Sequence, residues 1–237
     1  MELGLKGDKQ DPKGRTLKLG DFLVPEAFAV VVNADLALDT PPDRDPLGND
    51  AVGNCGIAGP GHFARWEDAR CGLATAIDAA AVLREYEAFG YVPDDPSTDN
   101  GVYALDVFKR WRSVGMFGRQ IEAFAQVDYF DAAQVQAAVF LLGGWFACYN
   151  LPRSVQGLDY WDVEEDDGGS WGGHLVWHDG TDTCNSWGQR ILVTPRFRSR
   201  YCFDGYAVVS QHGLRQGLGF GGLDLDKMRA ALAVVTG

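Results

Sequence analysis

Three side chains far apart in the chain are of the types that acyl-transfer chemistry requires: a sulfur at Cys55, an imidazole at His174 and a carboxamide at Asn185. Thiol catalysis needs a thiolate, a base that takes its proton, and a group that orients the base. Cys55 lies in "GNDAVGNCGIAG", residues 48–59, directly ahead of a stretch that can turn into a helix. A helix N-terminus favours a thiolate, because its free N–H groups and its dipole attract negative charge. Taken alone, the stretch equally suits a small buried cysteine in a glycine-rich turn. The partners decide.

Four histidines can supply the base: His62, His174, His178 and His212. His174 follows "GGSWGG", whose small residues clear space for a substrate, and it begins a strand pattern. On that strand His174, Val176 and His178 face one way, while Leu175 and Trp177 face the other. His178 falls about 13 Å further along at ~3.3 Å per residue, so the two histidines cannot chelate one metal. His62 is two turns into its own helix, too far to reach the helix start. Across a hairpin turning at "DGTD", Asn185 is expected beside His174, accepting its ring N–H. Trp187 then covers that bond and keeps water from it. Each residue also has an ordinary structural reading; all three in this order require three coincidences.

The elements that must position them read as helices first and strands second, an α+β pattern. Residues 1–45 form an irregular lead-in, with "LVPEAFAVVVNADLAL" as one strand or short helix and "DTPPDRDPLGND" as loop. A helical half of about residues 50–142 follows, within a domain covering 46–237. Its first helix begins near Cys55 and tolerates Pro60 only in its first turns. "LATAIDAAAVLREYEAFG" carries a stripe of Leu73, Ile77, Ala80 and Leu83, and "DNGVYALDVFKRWRSVGM" one of Val107, Trp111 and Val114. "DAAQVQAAVFLLGG" has Asp131 as its N-cap. A sheet half of about 143–212 is built from "GWFACYNLP", "HLVWHDG", "DTCNSWG", "QRILVTP" and "YAVVSQ", with a helical turn at "RFRSRYCF". An amphipathic helix of about 223–235 closes the chain.

Composition narrows the partners. With 237 residues and 46% hydrophobic content the chain can bury a sizeable core. Its net charge of −12 suits neither phosphate backbones nor anionic membranes, so no nucleic acid and no membrane partner is expected. No window approaches the ~20 apolar residues of a membrane span, and the polar start "MELGLKGDKQDPKGRTLKLG" lacks a signal-peptide core. A cytoplasmic or virion location is the expectation. The five cysteines, Cys55, Cys71, Cys148, Cys184 and Cys202, are odd in number and show no CxxC, which fits reduced thiols and no zinc site. Cys55 and Cys71 would be ~24 Å apart along a helix rising ~1.5 Å per residue, beyond any disulfide.

In that order "GNCGIAG", "GGHLVWHDG" and "NSWGQ" resemble the papain-like cysteine peptidases, over roughly residues 20–212. The resemblance implies an α+β fold in which a nucleophile helix of the helical half packs on an antiparallel sheet half. It implies Cys55 as nucleophile, His174 as general base and acid, and Asn185 as orienter, supported by Gly173 and Trp187. The family's oxyanion-binding glutamine, six residues before the cysteine, is Asn49 here, with the Cys55 backbone N–H as second donor. One lost donor of this kind costs ~3 kcal/mol of barrier. Val52 and Gly56 stand where the family has a second cysteine and a tryptophan, and Val52 removes a disulfide.

The implied activity is hydrolysis of amide bonds in a peptide or protein substrate, with no cofactor and no metal. Other readings stay open: an acyltransferase, a cell-wall amidohydrolase, or a non-catalytic structural protein of the same fold, such as a phage virion component. The glycine-rich start would be tied down by its own domain or by neighbouring chains in an assembly. The acidic run Asp162–Asp167 reads as a solvated loop, and alternatively as a cleft wall favouring basic side chains.

Overall fold

A computed structural model describes residues 3–7, 17–23, 43–216 and 224–236. The element expected in "LVPEAFAVVVNADLAL" lies almost wholly outside these residues. Helix α1, Cys55–Arg70, is buried at every position from Cys55 to Ala64. Such a helix must be walled on all sides. Its glycines permit the close approach. A Cβ at Gly56 would meet Val102 Cγ2 at 2.3 Å, and one at Gly59 would meet Leu175 Cδ2 at 2.6 Å.

Two further helices share that side of the molecule, α2 (Ala79–Glu87) and α3 (Ala104–Ser113). α2 is shorter than its apolar stripe suggests. Asp78 caps it by accepting the Ala81 N–H, which stops the helix there and leaves Leu73 outside it and exposed. The buried pair on α2 is Val82 and Tyr86, one turn apart. On α3, Val107 and Trp111 are buried but Val114, past the helix end, is exposed. α4, Ala132–Leu142, starts at Asp131, whose carboxylate accepts the N–H groups of Ala133 and Gln134.

The strands join in one eight-stranded sheet of order β1-β2-β8-β3-β5-β6-β7-β4. They are β1 (Leu17–Lys18), β2 (Ile121–Gln126), β3 (Trp145–Pro152), β4 (Tyr160–Trp161), β5 (Ser170–His178), β6 (Thr183–Ser186), β7 (Gln189–Val193) and β8 (Cys202–Ser210). Two members come from outside the stretch read as the sheet half. β2 lies between α3 and α4 and pairs antiparallel with β8, and β1 of the lead-in pairs parallel with β2. In "IEAFAQ" the alternating positions are mostly alanines, a weak mark of a buried strand face. After β7, α5 (Pro195–Tyr201) leads into β8, and α6 (Gln211–Arg215) follows it; α7, Leu225–Thr236, closes the chain.

The sheet divides two cores by simple alternation. Phe146 and Cys148 of β3, Leu175 and Trp177 of β5, and Tyr206 and Val208 of β8 face α1–α3. Trp145, Ala147 and Tyr149, Val176, and Ala207 and Val209 face the other way, toward α4 and α5.

Candidate active site

Cys55 is the first residue of α1 and is 1% exposed. The turn before it is tightly bonded. Asn54 Nδ2 donates to the Leu47 carbonyl at 3.1 Å, while the Asn54 carbonyl accepts from Ile57 and Ala58 to start the helix. Asn49 belongs to the same turn, and its Nδ2 donates to the Val52 carbonyl at 3.3 Å. Burial pushes the Cys55 thiol up to about 11, although backbone groups of Leu175, Gly4 and Gly56 near the sulfur act the opposite way. The thiol rests against β5 at the residue after His174.

His174 lies opposite Tyr149 of β3 and is fully buried. Its Nε2 is 2.7 Å from Ser186 Oγ, and Trp187 stacks on the ring at 4.3 Å and 12°. Its Nδ1 is buried without a hydrogen-bond partner. The ring lies with Val176, Tyr149 and Trp187 on the α4–α5 side of β5, whereas Cys55 lies with Leu175 on the α1 side, so the sheet separates thiol and imidazole in this conformation. Burial lowers the imidazole to about 3. Both members of the pair are thus neutral here. Trp187 reaches the ring because its backbone turns left-handed just after β6, at φ 50°, a strained conformation for a bulky residue.

Asn185 does not reach His174. The hairpin pairs Trp177 with Asn185, so these two share a face and His174, three residues from Trp177, lies on the other. Asn185 Nδ2 instead donates to the Asp43 carbonyl at 3.2 Å, and its Oδ1 has no partner. A turn at residues 179–182 fixes this register; bringing 185 opposite 174 requires the hairpin to slip by three residues. The hydroxyl of Ser186, the next residue of the same motif, takes the place expected for the carboxamide.

Residues 4–6 of the lead-in pair between β5 and residues 101–102, beside Cys55. Leu5 N–H donates to the Gly173 carbonyl at 3.0 Å. On its other side Lys6 N–H donates to the Val102 carbonyl at 2.9 Å, and Val102 N–H donates to the Gly4 carbonyl at 2.8 Å. The segment runs antiparallel to β5 and parallel to the 101–102 strand. The Leu5 side chain is buried in the same core as Cys55, Val102 and Leu175. Gly173 has no room for a side chain, since a Cβ there would fall 2.1 Å from the Leu5 oxygen.

The remaining histidines are bound elsewhere. His62 Nδ1 is 2.9 Å from Asp43 Oδ2, His178 Nε2 is 2.9 Å from the Tyr149 hydroxyl, and His212 Nε2 is 3.5 Å from Asp68. In the acidic run, Asp162 is engaged by Arg196 and Thr194, and Asp167 accepts from Tyr201 and Gly169. These bonds hold both carboxyls below the usual range. The five cysteines are free thiols. Among the described residues no group of three or more His, Cys, Asp or Glu side chains is placed to hold a metal ion, and no helix is long and apolar enough to cross a membrane.

No family model and no curated protein matches the chain. Solved structures do. Xylellain, a cysteine protease from Xylella fastidiosa, superposes with a TM-score of 0.65 at 14% identity, over 87% of this chain and 95% of its own. Procathepsin B S9 from Trypanosoma congolense gives a TM-score of 0.58 at 11% identity, over 89% of this chain and 87% of its own. The fold is papain-like.

Proposed function

We propose that this chain is a cysteine peptidase that hydrolyses amide bonds through Cys55 and His174, inactive in the conformation described, in which β5 separates the two side chains. The observation that carries the reading is the occupied cleft. Extended backbone at Gly4–Lys6 is hydrogen-bonded from both sides, beside the one thiol that begins a buried helix. A groove that binds polypeptide main chain next to such a thiol is suited to peptide hydrolysis.

Ser186 Oγ can accept from Nε2–H, and in that tautomer Nδ1 keeps its lone pair. It can take the thiol proton once the backbone at residues 173–174 turns the ring to the α1 face of β5. The thiolate attacks the carbonyl carbon, and the new oxyanion is met by the Cys55 N–H and the Asn49 amide. The C–N bond then breaks as the imidazolium gives its proton to the leaving amine, and water hydrolyses the thioester. Departure of residues 4–6 would admit water and substrate together. That removes part of the desolvation which now holds the thiol high.

The test is labelling of Cys55 by a peptide-based thiol probe in wild type, Leu5→Asp, and Leu5→Asp combined with His174→Ala. Leu5→Asp buries a carboxylate in an apolar site and expels the segment. Labelling should rise about tenfold or more in Leu5→Asp, and adding His174→Ala to that variant should abolish the rise. If Cys55 reacts like a simple thiol in all three proteins, the chain is a papain-like scaffold without catalysis.

A further inference from the structure

The turn in front of Cys55 and the strand that grips the cleft occupant are separate loops, yet one pair of side chains ties them together. Gly53 N–H, two residues before Cys55, points at both oxygens of Asp99, each at 3.0 Å. The Tyr86 hydroxyl donates to Asp99 Oδ1 at 2.7 Å and accepts the Gly101 N–H at 2.8 Å. Gly101 precedes Val102, whose backbone holds Gly4 and Lys6. A carboxylate and a phenol therefore form an unbroken relay from the nucleophile turn to the substrate-gripping strand. Tyr86 is 1% exposed and stacks on Tyr91 at 4.8 Å, so the phenol is fixed by packing. Asp99 is fixed by its own backbone, its N–H donating to Pro96.

Nothing covalent does this work. Val52 stands where the resembling peptidases carry a cysteine, and Cys55 and the other four cysteines are free. Space also argues for the relay. A Cβ at Gly53 would fall 2.9 Å from Asp99 Oδ1, and one at Gly101 would fall 1.8 Å from the Gly4 oxygen. Both glycines are needed for the backbone to come this near its partners.

Resting on the peptidase reading above, we infer that Asp99, backed by Tyr86, is the positioning residue of this site: it sets the nucleophile turn and holds it in register with the strand that binds substrate backbone. The two ends of the relay have different consequences. Loss of the Gly53 contact displaces the Cys55 N–H and thiol, which act in the chemical step. Loss of the Gly101 contact loosens the strand, which acts in binding.

The experiment compares full-length wild type with Asp99→Ala, Asp99→Asn and Tyr86→Phe. It measures kcat and KM on a fluorogenic peptide amide, and hydrogen exchange at the Gly53 and Gly101 amides, each well below the variant's melting temperature. Asp99→Ala should lower kcat about tenfold to a hundredfold with KM within about threefold, and should speed Gly53 exchange about tenfold. Asp99→Asn keeps an acceptor at the atom that Gly53 and Tyr86 share, so it should recover most of kcat. Tyr86→Phe should raise KM about fivefold with little change in kcat, and expose the Gly101 amide. A folded Asp99→Ala with kcat within about twofold of wild type, or an Asp99→Asn no better than it, overturns the assignment. Unchanged Gly53 exchange in Asp99→Ala overturns it even if the wild type hydrolyses nothing, a result that by itself would sink only the peptidase reading.

Discussion

His174 and His178 sit on one face of the same strand, and their immediate surroundings are nearly copies. Each is fully buried, and burial lowers each imidazole to about 3. Each stacks on a tryptophan, Trp187 at 4.3 Å and Trp145 at 4.7 Å. Each has a hydroxyl on Nε2, from Ser186 or Tyr149, and an Nδ1 without a partner. What differs is the cover. Over His178 lie Trp145 of a central strand and the core behind it, all closed to solvent. Over His174 lies Trp187 on a strained turn, and the neighbouring Gly173 is covered by residues 4–6, held there through hydrogen bonds. Similar local chemistry thus sits under two covers, packed core over His178 and the end of a hairpin over His174.

The two tryptophans test that difference most severely. Trp145→Ala empties a site with 0% exposure and should cost about 3–5 kcal/mol in urea unfolding. Trp187→Ala removes a ring that is only partly buried, so its cost should stay below about 2 kcal/mol. Equal costs would mean that Trp187 is as much core as Trp145, and the contrast in cover would be lost.

The papain-like fold could be read from residue types, because the order of the cysteine, histidine and NSWG motifs is specific, but the meeting of their side chains could not. The cap at Asp131, the helix beginning at Cys55 and the alternation of β5 all rest on local chemistry and are present. What escaped reading depends on register and on distant pairing. Which of Asn185 and Ser186 meets His174 turns on where a four-residue loop closes. A slip of one residue exchanges the two faces of a strand. Asp99 carried no signal in the sequence because Gly53, its partner, is 46 positions away. The placement of Leu5 in the cleft carried no local signal at all.

Acid separates the histidines next. Each imidazole is near 3 in the fold against an ordinary 6.5, so between those values the unfolded chain binds the extra protons. Stability therefore falls as pH drops below about 6.5, by about 1.4 kcal/mol per pH unit for each such proton. Glu67 works against them. Burial raises its carboxyl to about 7 from 4.5, so the fold takes up a proton first and gains stability as pH falls through that window. Urea midpoints measured from pH 7 to pH 4 should show a net loss, and His178→Gln should remove about one proton from the slope. In Trp187→Ala the His174 share should shrink while the His178 share persists. An unaltered slope in that variant would show that Trp187 is not the cover of His174.

The smallest effect, and the finest test, lies in the two hydroxyls. Ser186→Ala and Tyr149→Phe each delete the partner of one Nε2 and keep the surrounding packing, so each should cost only about 1 kcal/mol of stability. Their stability costs being alike, activity must tell them apart. Without Ser186 the Nε2 of His174 loses its partner, and with it the acceptor that supports the tautomer with a free Nδ1 lone pair. The expected loss is about tenfold in kcat with KM unchanged, together with a shifted acid limb of the pH–rate profile. Tyr149→Phe should leave both kinetic constants untouched, because its histidine never meets substrate. A Tyr149→Phe enzyme as impaired as Ser186→Ala would mean that the two histidines are coupled through β5, and the division between structural and catalytic imidazole would fail.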